Sequence, residues 1–403
     1  MHTNVAKDRP AGGVRIGVTS DNWIDAPFNR YGFWRVREYA RTARVARGRG
    51  DIWRLPERHR DLTGFTTAWN GQAFSLAEWL HATYTDAFVL VHRGEVVAEW
   101  YEDGGSADRT HLLMSVSKSL TATLVGALVA EGLLVTKAPV TDYLPVLQGT
   151  AWDGATVQHL LDMQAGVRFS EHDMDDPECD GRLIEQISGY TTHRRPDLAP
   201  DTSRWILDLP SQHDHGSRYE YRSIQTDVLG WIVEEVTGQR FADAFSQRVW
   251  SRLGVEHDAE LILDSAGFPV VEGGFCVTTR DLARVGLMHL GRGMARGAAI
   301  VPSAWTDRVV DRDQHLIDLF AAGYDCDPGN PEAYYHDCWW VIDASLGRYT
   351  GLGLNGQHLL IDRSTETVMV KLSSSPHRID PQLFAFTATA QLDLLMFLDQ
   401  QPG

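Results

Sequence analysis

The stretch HLLMSVSKSL, His111 to Leu120, decides the fold because it places Ser115 and Lys118 three residues apart at the start of a long apolar pattern. Lysine is rare in this chain, whose 37 Lys and Arg residues include only Lys7, Lys118, Lys137 and Lys371. Arginine stays protonated at any workable pH, whereas a desolvated lysine can become a neutral amine and act as a base. The composition therefore predicts a chemical role for Lys118.

The pattern on both sides of this stretch predicts strands and helices in turn. AFVLVHRGEVVAEWY, Ala87 to Tyr101, reads as a β-hairpin, and SVSKSLTATLVGALVAEG reads as a buried helix that ends at Gly132. Alternating residues return from His358 to Ser374, before a helix predicted from about Pro381 to Gln400. Near the N-terminus, a helix is predicted within 33–47.

Between the two strand-rich ends, helical signals dominate from Thr136 to about Val277. The economical fold is α/β, with a sheet built from both chain ends, flanked by helices, and a mostly helical domain inserted between them. The predicted boundaries are 1–135 for the first part of the α/β domain, 136–277 for the helical domain and 278–403 for the second part.

Composition excludes several classes of partner and cofactor. A formal net charge of −17 over 403 residues argues against nucleic acid and anionic membranes. The first twenty residues have no apolar signal segment, and the run from Leu120 to Val135 is too short for a membrane span, so a cytoplasmic location is expected. The four cysteines, the His213–His215 run and His172 with its acidic neighbours match no metal-site spacing. No metal or cofactor is predicted.

A serine and a lysine at this spacing can form a nucleophile and its proton partner. They lie on one helix face, and the Ser115 N–H at the helix N-terminus can hold an oxyanion. YEYRSIQTDVLGWIVEEVTG places Tyr221 and Ser223 just before a second helix. A tyrosine beside Lys118 is expected to have a lowered pKa and to serve as a general base.

A third motif, TGLGLNGQHLLID, contains three glycines, Gly351, Gly353 and Gly356, just ahead of a strand. Glycines at such positions let a backbone approach a ligand closely and offer an N–H as a second oxyanion donor, although an ordinary turn explains them as well. The three motifs, taken together and in this order along the chain, support a single active site more strongly than each motif does alone.

These motifs, with GGFCVTTRDLARVG (Gly273 to Gly286), resemble the serine β-lactamase-like superfamily in its class C β-lactamase branch. YTDAF, LLDMQ and VKLSS resemble more narrowly its nylon-oligomer amidases and their esterase-active relatives. The resemblance implies a β-lactamase-like fold with an antiparallel sheet. It also implies Ser115 as nucleophile, Lys118 as proton partner, Tyr221 as third catalytic group, and an oxyanion hole from the N–H groups of Ser115 and Leu354.

Two departures from the β-lactamase pattern bear on the substrate. Ser223 stands where that branch has asparagine, and Gly351-Leu352-Gly353 stands in place of Lys-Thr-Gly. The missing lysine is the usual partner of a β-lactam or peptidoglycan carboxylate, so a linear amide of the 6-aminohexanoate-dimer kind, or a carboxylic ester, fits better.

Four further side chains are predicted to contact the substrate: Ser223, Asp173, Trp339 and Asn355. Asp173 lies in the acidic segment SEHDMDDPECD, which would attract a substrate ammonium if it lines the cleft, although a solvated acidic loop is the commoner role. Trp339 would form an apolar wall for an alkyl chain, with core packing as the alternative.

Three functions remain open from the sequence. The first is a serine hydrolase that cleaves small amides or esters through an acyl-serine intermediate. The second is a biosynthetic transacylase that uses the same intermediate, and the third is a non-catalytic ligand-binding module, which the intact Ser115, Lys118 and Tyr221 set disfavours. A homodimer is also left open.

Overall fold

A computed structural model describes residues 17–102 and 105–400 of the chain. The strands are β1 (Thr42–Val45), β2 (Thr67–Trp69), β3 (Gln72–Phe74), β4 (Thr85–His92), β5 (Glu95–Tyr101), β6 (His111–Leu112), β7 (Ala259–Ile262), β8 (Phe275–Val277), β9 (Met294–Ala295), β10 (Ala298–Ala299), β11 (Tyr334–His336), β12 (Trp339–Asp343), β13 (Arg348–Gly353), β14 (Gln357–Asp362) and β15 (Thr367–Ser373). The helices are α1 (Asn29–Gly32), α2 (Leu76–Ala82), α3 (Val116–Ala130), α4 (Val157–Leu161), α5 (Asp180–Ile187), α6 (Thr202–Asp208), α7 (Ile224–Thr237), α8 (Phe241–Phe245), α9 (Ser251–Leu253), α10 (Thr279–Leu290), α11 (Ser303–Arg308), α12 (Gln314–Ala321) and α13 (Pro381–Asp399).

The central sheet joins the two ends of the chain, as the sequence predicts. Its seven strands run in the order β11-β12-β13-β14-β15-β4-β5, and every neighbouring pair is antiparallel. The predicted hairpin is β4–β5, whose turn at Arg93 and Gly94 has positive φ at both residues. The predicted fold class is confirmed.

Helices cover both faces of this sheet, which explains why its central strands β14, β15 and β4 are buried along their whole length. Val89 and Val91 of β4 pack in the larger core with α3 and α10. Phe88 and Leu90 point to the other face, where α2 and α13 close a second core. Because successive strand residues face opposite sides, covering both sides requires an unbroken apolar run.

The inserted region is helical up to α9, after which residues 259–277 supply β7 and β8. These two strands join β1 and β6 in a small sheet of order β1-β7-β8-β6. The predicted helix within 33–47 is wrong: a 3-10 turn (Val36–Glu38) and β1 occupy that segment, because β1 finds a strand partner in β7, distant in sequence.

The predicted helix after the Ser-Lys pair is confirmed as α3, which is buried from Val116 to Leu128. The chain leaves it through Gly132, where φ is +73°. Within the described part of the chain, no helix has both the length and the apolar character that a membrane crossing needs.

We predict that Gly286→Ala in α10 destabilises the protein by about 1–3 kcal/mol, because overpacking a tight core forces neighbours to move. A Cβ at Gly286 would overlap Val368 of β15 and lie 3.1 Å from Leu359 Cδ1. Urea unfolding followed by tryptophan fluorescence measures the change. The matched control is Gly64→Ala, whose Cβ would meet only Phe397 at 3.7 Å; equal stability of the two variants would contradict this packing.

Candidate active site

Ser115 lies at the N-terminal end of α3, immediately after a strained turn from β6. The residue before it, Met114, has φ of +46°, which is costly for a side chain of this size and persists only where surrounding structure enforces it. Leu113 is held by a hydrogen bond from its N–H to the Phe275 carbonyl (2.9 Å). The strained turn therefore leads directly from a fixed strand to a half-buried serine.

Lys118 is fully enclosed and uses all three of its N–H donors. Its Nζ donates to Ser115 Oγ (2.8 Å), Ser223 Oγ (2.9 Å) and the Glu272 carbonyl (2.8 Å). The predicted contact between serine and lysine is thus present, and Ser223 joins it. These bonds connect α3, the start of α7 and the loop before β8 through one ammonium group.

Carboxylates surround this lysine. Glu272 Oε2 lies 3.6 Å from Nζ, and the buried Tyr190 hydroxyl donates to Glu272 Oε1 (3.0 Å). The Asp227 carboxylate of α7 accepts the N–H of Glu272 (3.1 Å) and so fixes the loop. Burial lowers the pKa of Lys118, but the negative charge that Tyr221 would carry once ionised and the charges of Glu272 and Glu171 outweigh it and raise that pKa above its usual value. Lys118 is therefore an ammonium at rest.

Tyr221 is the third member of the site: its hydroxyl hydrogen-bonds with Ser115, and Lys118 Nζ lies 5.0 Å from the centre of its ring. Its ring stacks on Trp340 (centroids 5.4 Å apart, 28° between planes) and meets Tyr335 edge-on at 5.7 Å. The expected lowering of its pKa is wrong. Burial raises the pKa of Tyr221 to about 12, and the Lys118 charge reverses only part of that shift. Tyr221 is a neutral phenol at rest.

Glu171 extends the site beyond the predicted residues. Its carboxylate accepts hydrogen bonds from the N–H of Ser223 and from Ser223 Oγ (3.0 Å). A continuous hydrogen-bonded chain therefore runs from Ser115 Oγ through Lys118 Nζ and Ser223 Oγ to Glu171. Burial raises the pKa of Glu171 to about 7, although the Lys118 charge acts to lower it.

The sequence predicts that Asp173, in this acidic segment, contacts the substrate, but the structure gives Asp173 another role. Asp173 is exposed, and its carboxylate accepts the N–H groups of Asp175 (3.2 Å) and Asp176 (3.3 Å) within its own loop. Glu171 is held at the site because Ser223 donates both its backbone N–H and its hydroxyl to that carboxylate. The serine in place of asparagine was the available signal.

The glycine strand β13 approaches the catalytic helix rather than a ligand. A Cβ on Gly351 would lie 3.1 Å from Ser119 Oγ, and one on Gly353 would lie 2.7 Å from the Leu113 carbonyl. Leu354 follows and packs in the same apolar cluster as Met114. Among the hydrogen bonds of turns, loops and caps in the described ranges, none uses the N–H of Ser115 or of Leu354. Both remain available to an oxyanion.

Two predicted substrate contacts are structural instead. Asn355 is buried with φ of +59°, and its amide donates to the Ser375 carbonyl (2.8 Å), so it holds the turn after β13. Trp339 is buried against His289 (4.6 Å) and Tyr349 (5.1 Å) in the core. Its neighbour Trp340 faces the site, because adjacent strand residues point to opposite faces.

Ligand-type side chains gather at one buried place in the described ranges, Asp162, His336 and Asp337. His336 Nδ1 bonds to Asp162 (2.8 Å), and Arg308 pairs with Asp337 (2.7 Å). Burial alone would lower the pKa of His336, but the two carboxylates raise it to about 9. A protonated imidazole between carboxylates makes this an internal ion network rather than a cation site.

Several known proteins resemble this chain. The family model described as Beta-lactamase matches residues 78–394. The 6-aminohexanoate-dimer hydrolase of Paenarthrobacter ureafaciens is 38% identical over 361 residues, covering 89% of this chain and 88% of that protein. Esterase EstB of Burkholderia gladioli is 31% identical over 215 residues, covering 47% of this chain and 53% of the esterase.

A solved structure shares the whole architecture. It is a protein from Bacillus anthracis provisionally described as a 6-aminohexanoate-dimer hydrolase, with a TM-score of 0.88 and 27% identity, covering 97% of this chain and 99% of that one. The family match covers more than half of the chain, and the relatives are amide and ester hydrolases. The chain therefore belongs to the Beta-lactamase family and is a serine hydrolase within it.

Proposed function

We propose that the protein cleaves linear amides of the 6-aminohexanoate-dimer kind, and related carboxylic esters, through a covalent acyl-Ser115 intermediate. The observation that carries this proposal is the 2.8 Å contact between Lys118 Nζ and Ser115 Oγ, at the end of a hydrogen-bonded chain that continues to Glu171. The 38% identity to a protein named for that dimer supports the substrate class.

Acylation begins when Ser115 Oγ attacks the substrate carbonyl while the N–H groups of Ser115 and Leu354 hold the oxyanion. Lys118 and Tyr221 are both protonated at rest, so neither can keep the serine proton by itself. We assign Glu171 as its destination: Lys118 first passes one of its protons through Ser223 to the carboxylate, and the amine left neutral then takes the proton from Ser115. Each transfer spans 3.0 Å or less.

Collapse of the intermediate then needs a proton donor for the leaving amine. The neutral Tyr221 hydroxyl, hydrogen-bonded to Ser115, supplies that proton, and Lys118 returns one to the phenolate as Glu171 gives its proton back. Deacylation follows the same route in reverse. A water loses its proton to the chain as it attacks the acyl group, and Ser115 leaves as a protonated hydroxyl.

The site walls favour a linear, partly aliphatic substrate. Tyr221, Tyr335 and Trp340 form an aromatic cluster beside the nucleophile, which provides apolar surface for an alkyl chain. Gly351 leaves β13 without a cation, and Ser119 and Val116 occupy the space that a side chain there would need. A β-lactam carboxylate would therefore lack a partner on this strand.

The function is tested by hydrolysis of the linear 6-aminohexanoate dimer and of p-nitrophenyl butyrate. We expect Ser115→Ala to lower kcat by roughly 10⁴-fold or more and to abolish the acyl adduct seen by intact-protein mass spectrometry. Ser345→Ala, an exposed serine, is the matched control. Ester cleavage without dimer cleavage would exclude the dimer as a substrate but would still support Ser115 as the nucleophile. Equal rates in wild type and Ser115→Ala would contradict the proposed mechanism. Products formed with an added amine distinguish a transacylase.

Lys118→Arg should be nearly as damaging as Lys118→Ala, with losses of about 10²–10⁴-fold in kcat/KM. Arginine keeps a positive charge but cannot relay a proton, and its guanidinium does not fit a position where one nitrogen meets three acceptors. Lys137→Arg, at an exposed lysine, should leave kcat/KM unchanged. Retention of most activity by Lys118→Arg would show that only the charge matters.

The Glu171 route predicts an acidic limb in the pH profile. Because burial raises the pKa of Glu171 to about 7 and only the carboxylate can accept a proton, kcat/KM should rise with pH through this region. Glu171→Gln should lower kcat/KM by about 10²-fold and remove the limb. The exposed Glu178→Gln, in the same segment, should preserve both. An unchanged limb in Glu171→Gln would assign the titration to another group.

A further inference from the structure

A second lysine, Lys371 of β15, is buried as completely as the catalytic one but forms no ion pair with a carboxylate among the described residues. Only 1% of its surface is exposed, and its Nζ donates to the Thr83 carbonyl (3.2 Å) and Ser373 Oγ (2.6 Å). Within residues 17–102 and 105–400, it forms no ion pair, and the Asp86 carboxylate is engaged by Arg30 and His111. One ammonium N–H is left over.

Lys371 lines a small cavity. The cavity has a volume of about 10 Å³ and is lined by Lys371, His358 and Ser375 among others. A volume of this size holds a single water-sized occupant. His358 of β14 pairs directly with Lys371 across the sheet, so both side chains lie on the same face.

Two further buried groups at the cavity lack a protein partner. His358 is 3% exposed and Ser375 is 4% exposed, and neither His358 Nε2 nor Ser375 Oγ has a hydrogen-bond partner among the described residues. An imidazole N–H, a hydroxyl and an ammonium can all donate at once. Leaving such groups unpaired in the interior costs free energy, so the arrangement favours an occupant that accepts every bond.

Two other charged groups at the cavity have protein partners of their own. Arg378 is also at its edge and is bound to Glu185 (2.8 Å) and Asp25 (2.7 Å). Asp380 lines the cavity too, but its carboxylate caps α13 by accepting the N–H groups of Gln382 (3.0 Å) and Leu383 (3.1 Å). Burial lowers the pKa of Lys371 to about 7, which is the alternative way to avoid an unpaired charge.

We propose that this cavity binds one small monovalent anion of the chloride type, held by Lys371, His358 and Ser375. A monatomic anion is the smallest anionic acceptor and can accept hydrogen bonds from all three groups. Sulfate and phosphate are too large for a space of this size. The site also lies beneath the turn after β13: a Cβ on Gly356 would be 3.9 Å from Lys371 Nζ, and the Ser375 N–H donates to the Asn355 carbonyl (3.1 Å). An occupant there braces the turn that carries Leu354.

Thermal unfolding tests the proposal, with sodium chloride replacing sodium gluconate at constant ionic strength. The wild type should show a saturable rise in midpoint temperature of about 2 °C or more, because a ligand that binds only the folded state stabilises it. Lys371→Met should lose this rise, and Lys137→Met, the same substitution at an exposed lysine, should keep it. An equal rise in all three proteins, or no rise in the wild type, would overturn the proposal.

A second measurement does not depend on the folding of Lys371→Met. Wild-type crystals grown in bromide should show an anomalous peak between Lys371 Nζ, His358 Nε2 and Ser375 Oγ. Full replacement of bromide by sulfate should remove the peak without placing sulfate in the cavity. A water molecule at that position in bromide crystals would show that the cavity is only a hydration site, and would overturn the proposal.

Discussion

The buried ammonium of Lys118 is the interaction on which the site depends. One nitrogen donates to a side chain of α3, to the residue that precedes α7 and to the backbone before β8, so these segments share a single hydrogen-bond centre. Removing a charge from water is expensive unless its surroundings compensate. Here Glu272 and Glu171 compensate, and Asp227 fixes the loop that carries Glu272. The proposed proton partner of Ser115 and the group that holds the segments of the site together are therefore the same residue, Lys118.

This surplus of negative charge explains why the protonation states differ from those expected from a simple Lys-Tyr pair. A lysine beside one tyrosine would lower the tyrosine pKa, but burial dominates at Tyr221 and the Glu171 charge adds to it. The group with a pKa near neutrality is instead the carboxyl of Glu171. In the proposed mechanism the general base is thus Glu171, at the far end of the hydrogen-bonded chain from Ser115, and not Lys118.

The sequence predicts contacts between residues that are close in the chain, but it does not predict which of two neighbouring residues reaches the site. The contact of Ser115 with Lys118 follows from helix spacing, and the β4–β5 hairpin follows from alternation and a turn signal. Which of two adjacent tryptophans faces the site depends on strand register, because a shift of one residue would exchange the faces that they point to. The choice of Glu171 over Asp173 depends on how a loop folds against Ser223. Neither the path of a loop nor the register of a strand pair can be predicted from a local sequence pattern.

Lys118 and Lys371 are both buried, and the free-energy cost of burying an ammonium is offset differently at the two positions. Lys118 is surrounded by carboxylates, which keep its ammonium charged and poised for proton relay. Lys371 has only neutral oxygens as hydrogen-bond partners within the described chain, and burial lowers its pKa to about 7. Arginine could do neither, because it cannot give up its proton and its larger head group needs more than a cavity of one water. A chain that otherwise relies on arginine therefore keeps lysine where a compact, titratable cation is required.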